Sequence, residues 1–191
     1  MYENILVILQ KGHFELRQGL LYGPFIPVYG IGAVVYEILV PKMKNGIQVF
    51  FYTMILGGIT EYVCSYLQEV LFGTISWDYH WVFINFNGRT SILHAFYWGI
   101  AGVLFYKIIH PWFNKIMDKE ITSRSILITD MVVVFIVMDV LVSWFALMRQ
   151  SERVLDIPPQ TVVDRFLDEY YPDEKIDKIY TNKITTARSV L

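Results

Sequence analysis

From Ile126 to Met148 the chain carries two charged side chains, Asp130 and Asp139, in an otherwise uncharged, mainly apolar run. A helix needs about 20 such residues to cross a hydrocarbon layer roughly 30 Å thick, so this run is long enough to span one. Similar runs lie upstream, from about Ile47 to Phe72 and from about Ser91 to Ile109, with a shorter one from about Pro24 to Val40. The expected fold class is all-α: a polytopic transmembrane helical bundle of about four spans with a short helical tail. The expected location is the cell membrane, as a multi-pass protein. Hydrophobic residues make up 54% of the chain, above the usual share of a soluble domain.

The charges divide the chain. Residues 1–110 hold 12 of the 34 charged side chains, so a membrane part precedes a more water-compatible one. The pattern predicts a polar or interfacial segment over 1–22 and a core membrane domain of three spans over 23–112. A charged linker and fourth span follow over 113–148, then a soluble tail over 149–191. The N-terminus lacks a basic stretch and a small-residue cleavage site, so insertion is expected to rely on the spans themselves. In the tail, Thr161-x-x-Asp164 has the form of a capping box. Val162, Val163, Phe166, Leu167 and Tyr170 share one helical face behind it. Counting basic residues on alternate sides gives a tie, so orientation stays open.

A net charge of −2 gives no general attraction to nucleic acid, and none is expected as a partner. Cys64 is the only cysteine, which excludes an internal disulfide and a multi-cysteine zinc site. Asp78 and His80 are too small a set for a metal centre. No metal and no cofactor are expected. The chain has no G-x-x-x-x-G-K-[ST] loop, so it does not bind ATP in the P-loop manner.

Polar groups near lipid are costly and need a reason. Glu61, Ser65 and Glu69 follow at i, i+4 and i+8 in the second run, which puts them on one helical face. Across the next loop lie Trp77-Asp78-Tyr79 and Asn85-Phe86-Asn87-Gly88-Arg89. The candidate polar or ligand site is Glu61, Trp77, Asp78, Tyr79, Asn85, Asn87, Arg89 and Trp98. Glu61 fits a proton carrier, a cation ligand or a partner of Arg89, and equally a hydrogen-bonded anchor between helices. Arg89 fits a binder of an anionic substrate or lipid phosphate, or an interfacial anchor. The aromatic residues fit a lid over a ligand or a belt at the membrane boundary. A helix-start motif, Gly23, Pro24, Pro27, Tyr29 and Gly30, fits either a broken helix lining a cavity or a helix cap. Asp139 is expected to pair with a polar group on another span.

Five motifs occur in order: Gly23-Pro24-x-x-Pro27-x-Tyr29-Gly30, Glu61-Tyr62, Trp77-Asp78-Tyr79, Asn85-x-x-Gly88-Arg89 and Trp98-Gly99-x-x-Gly102. Over roughly Glu3 to Trp112 the chain resembles the bacterial CmpB-like, type IV ABC-transporter family. The resemblance implies a permease-like component of a transport system, with membrane lipid around it and a separate ATPase subunit or a homo-oligomer as partner. The chain departs from the family in two places. It starts at Met1-Tyr2-Glu3, where members carry a further transmembrane helix, and Gln18 stands where an arginine is usual before Gly19. Two other function classes remain in view: a membrane enzyme acting on a lipid or lipid-linked anionic substrate, and a non-catalytic interaction or sensor protein whose tail docks a partner.

Overall fold

A computed structural model describes residues 19–23, 25–118, 121–181 and 183–185. Most of the 1–22 segment, the motif residue Pro24, Gln18 and the chain start lie outside the described residues. The first helix, α1 (Pro27–Leu39), begins at Pro27, whose missing N–H costs nothing at a helix start. Its 13 residues rise about 20 Å, short of a full crossing. A 3-10 turn, Val40–Lys42, leads to α2 (Gly46–Phe72). The Asn45 side chain accepts the Gln48 N–H at 2.9 Å to start α2. Gly73 ends it in the left-handed region at φ +62°.

The loop after α2 carries β1 (Thr74–Ile75) and a hairpin of β2 (Asn85–Phe86) and β3 (Thr90–Ser91). Asn87 and Gly88 sit at φ +51° and +67°, and the Arg89 N–H reaches Phe86 O. That is the type I′ turn an Asn-Gly pair favours. Ser91 then caps α3 (Ile92–Met117).

The run read from about Ser91 to Ile109 does not end there: α3 continues through His110-Pro111-Trp112. Residues Phe105–Ile109 form a π-helical turn, in which the His110 N–H bonds Phe105 O, five residues back. Pro111 cannot donate a hydrogen bond, and this wider turn resets the ladder around it. The charged linker is correspondingly shorter. A capping box of Thr122 and Ser125 opens α4 (Ser123–Val154).

The structure is mostly helical, and α2, α3 and α4 are long and apolar enough to cross a membrane. What they bury is the reverse of a soluble fold. The buried residues of α2 include Thr53, Gly57, Glu61, Ser65 and Glu69; those of α4 include Asp139, Ser143 and Arg149. Ile, Val, Leu and Phe side chains face outward along the same helices. Polar groups inside and large apolar groups outside are stable together when the surrounding solvent is hydrocarbon.

Helices α2 and α3 pack closely because glycines remove the spacing. A Cβ at Gly57 would run into the base of the Trp98 side chain, and one at Gly102 into Thr53. Trp98 also fills the space beside Gly32 of α1, whereas Gly30 faces open space. A core of Tyr36, Val40, Val49 and Phe105 joins these three helices.

The tail is not a free appendage. Its capping box holds and α5 (Val162–Tyr170) forms, but its apolar face is split. Leu167 is buried, while Val162, Val163, Phe166 and Tyr170 are exposed. The reason is ionic: buried Arg149 grips Asp168 with two bonds of 2.8 and 2.9 Å, and Arg153 adds a third at 2.6 Å. These bonds turn the Leu167–Asp168 side of α5 toward α4. A further helix, α6 (Asp173–Ile179), and strand β4 (Ile184–Thr185) follow, and β4 pairs antiparallel with β1. A second core of Leu21, Ala146, Leu167, Tyr171, Ile176 and Tyr180 binds tail to membrane part.

Candidate functional site

The polar stripe of α2 meets the loop that folds back along it. Glu61 accepts hydrogen bonds from Tyr79 Oη at 3.1 Å and Thr90 Oγ1 at 2.8 Å. Arg89 lies two turns further along α2. Its guanidinium pairs with Glu69 and donates to Ser65 Oγ at 3.3 Å. Its carbon centre stands 5.9 and 5.5 Å from the rings of Tyr62 and Tyr66, within cation–π range. Of the roles open to Glu61, a pairing with Arg89 is not the one formed: Arg89 takes the later acid of the same stripe. Thr90 meets Glu61, and the long Arg89 side chain reaches along α2 past Ser65 to Glu69.

The other loop residues divide between the site and the scaffold. Trp77 Nε1 donates to Arg89 O at 2.8 Å and so holds the arginine's backbone. The Tyr79 N–H bonds Gly88 O at 2.8 Å, and its ring stacks on His94 with centroids 3.6 Å apart. His94 in turn lies 2.8 Å from Ser91 Oγ. Asn85 bridges the loop, accepting from the Gly88 N–H and donating to Val82 O. Asn87 donates to Tyr62 Oη at 3.2 Å. Asp78 stands apart: its carboxylate is turned to the backbone and ring of exposed His80. Trp98 is wedged in the glycine notch at Gly57, one turn before Glu61 on the same face of α2, and lines the same cavity as Glu61.

Three residues of the cluster fell outside the expected set: Glu69, Ser65 and Thr90. The i, i+4, i+8 spacing carried the signal for the first two. Thr90 had none, because its role depends on the hairpin's register.

Asp139 was expected to pair with a polar group on another span. Instead it accepts the backbone N–H of Tyr22 at 3.1 Å and the hydroxyl of Ser143, one turn along its own helix. Ser143 Oγ accepts the Leu21 N–H at 2.8 Å. Together they satisfy the backbone of the non-helical segment before α1, which would otherwise be buried unpaired. Tyr22 Oη also meets Tyr171 Oη at 2.8 Å, tying this segment to the tail.

Between α1, α2, α4 and the tail lies a cavity of about 450 Å³. Its lining reaches from Lys183, Tyr180 and Ser76 at the tail end to Glu61, Tyr79 and Trp98 within the bundle. Burial pushes the Tyr180 phenol up to about 12, so it stays neutral at physiological pH. Lys183 bonds Asp177 at 2.7 Å and Gln150, and this cation holds the Asp177 carboxyl below its ordinary value. Among the described residues, no cluster of three or more His, Cys, Asp or Glu side chains is arranged to hold a metal ion.

The profile of the family described as "Putative ABC-transporter type IV" matches residues 1–144. The chain belongs to this family. The match runs past the motif-bearing region to include most of α4, and it stops before the tail. Comparison with curated proteins and with solved structures gave no match. Family membership and the three long apolar helices make this an ABC-transporter-related membrane protein.

Proposed function

We propose that the chain is a permease-like component of a transport system, working in the cell membrane as a multi-pass protein with a separate ATPase subunit. The observation that carries this reading is the cavity between α1, α2 and α4, which extends from the tail to Glu61. Half-length α1 acts as the fourth wall of the bundle in this reading, and Glu61, Trp77, Tyr79 and Trp98 line the substrate site. The energy must come from another subunit, because the sequence has no phosphate-binding loop. An enzyme acting on a lipid-linked anion has less support. Arg89 is already engaged by Glu69 and Ser65, and Asp78 by His80.

The test is purification of the full-length chain from its native membranes in mild detergent, followed by reconstitution. Mg-ATP hydrolysis should co-purify with it, and vesicles should show ATP-dependent flux that Glu61→Gln reduces without loss of folded protein. Material without ATPase activity and without flux overturns the proposal.

A further inference from the structure

The cavity's shape and polarity point to a class of ligand. Along α2 its wall runs from Glu61 to Phe72, roughly 16 Å at about 1.5 Å per residue. That is about half of a ~30 Å hydrocarbon core, the depth of one leaflet. The middle of the wall is apolar: Ile31 of α1, Leu67 and Leu71 of α2, Val140, Trp144 and Leu147 of α4. Several of these side chains are about half-exposed, Ile31 at 49%, Leu67 at 48% and Leu71 at 47%, so the apolar wall is open rather than sealed.

The tail end is different. Lys183, Gln68, Ser76 and Thr181 gather there, and each can donate a hydrogen bond. The largely buried Lys183 ammonium is held by Gln150 Oε1 and by Asp177, whose side chain is 62% exposed. Asp177 can turn to water, which leaves its place on the ammonium to an incoming anion. Glu61 is the polar exception at the inner end, and its oxygens accept from Tyr79 and Thr90.

We infer that this cavity binds an anionic amphiphile, with its phosphate or carboxylate head at Lys183 and its hydrocarbon chain lying between α2 and α4. The inference deepens the transport reading by naming the substrate class of the same site, and it stands on binding alone. The chain enters sideways from the leaflet, so no apolar group crosses water. The head needs acceptor oxygens to answer the donors at the mouth.

The experiment uses the full-length protein in detergent with three probes: dioleoyl phosphatidylglycerol, dioleoyl phosphatidylcholine and oleate. Native mass spectrometry reads the adducts, and melting temperature reads the stabilisation. Phosphatidylglycerol or oleate should bind about tenfold tighter than phosphatidylcholine. Lys183→Gln should erase that preference, and Leu67→Trp or Val140→Trp, which fill the cavity from opposite walls, should remove the adduct. Variants that melt as the parent does give the decisive comparison, and the two filling variants sit on separate helices so that one can stand for the other. Preference for oleate over phosphatidylglycerol identifies a free fatty acid as the source, and the reverse a membrane phospholipid. Equal binding of all three probes, or adducts unchanged in the filled variants, overturns the inference. Binding without ATP-dependent flux sinks the transport reading and leaves the inference standing; flux without binding does the reverse.

Discussion

The pair of Arg89 and Glu69 offers the sharpest test of the reversed, polar-inside packing. Both side chains are 11% exposed. Replacing Glu69 by Leu leaves the guanidinium with one neutral hydroxyl, Ser65 Oγ at 3.3 Å, and the faces of Tyr62 and Tyr66. Stranding one member of a buried ion pair costs about 3–5 kcal/mol. The two rings meet the guanidinium with or without Glu69, so they cancel in the comparison and Glu69→Leu should destabilise by about 3–5 kcal/mol. Arg89→Met should also destabilise, since it takes the guanidinium away from Glu69. The double variant should cost far less than the sum, because an apolar pair of similar volume replaces an ion pair at little net loss. Unfolding in mixed micelles with increasing dodecyl sulfate measures all four proteins, and the cycle isolates the coupling, expected at about 2 kcal/mol or more. Single variants each costing under about 1 kcal/mol and adding without coupling would refute the reasoning.

Glycine contacts give a second test. Gly57→Ala should destabilise by about 1–3 kcal/mol through overpacking against Trp98, whereas Gly30→Ala, which meets nothing, should be neutral or stabilise by up to ~1 kcal/mol. Melting curves in detergent distinguish them, and equal effects would deny the notch. A third concerns acid. The guanidinium of Arg149 hydrogen-bonds Asp168 and holds its carboxyl below the ordinary value, with Arg153 adding to the effect. A depressed folded value means that the stabilisation is complete above the unfolded pKa of about 3.9 and is lost as pH falls through the folded value. Protease cleavage around Pro158-Pro159 should therefore rise as pH drops below about 4. Asp168→Asn should cleave readily at neutral pH and show a flatter acid response, and an unchanged profile would remove Asp168 from the tail's anchorage.

Much of this arrangement is written in local pattern. Run length alone specifies α2, α3 and α4, since a helix must satisfy its own backbone in lipid. The caps at Asn45, Ser91 and Thr161, and the Asn87-Gly88 turn, follow from side chains that bond the adjacent backbone or tolerate positive φ. The Glu61–Ser65–Glu69 face follows from the helical period.

Choice among partners was settled only by tertiary structure. Two acids lie on one face of α2, and the direction of the Arg89 side chain, past Ser65, takes it to Glu69 while Thr90 meets Glu61. Pro111 reads as a stop, yet a π turn carries α3 past it, at the level of the Glu37–His110 contact with α1. The apolar side of α5 reads as a docking face, yet Arg149 and Arg153 rotate it so that Leu167 alone is buried. Periodicity reports which side chains share a face. Which neighbour that face meets depends on contacts between residues far apart in the chain, and no local pattern encodes those.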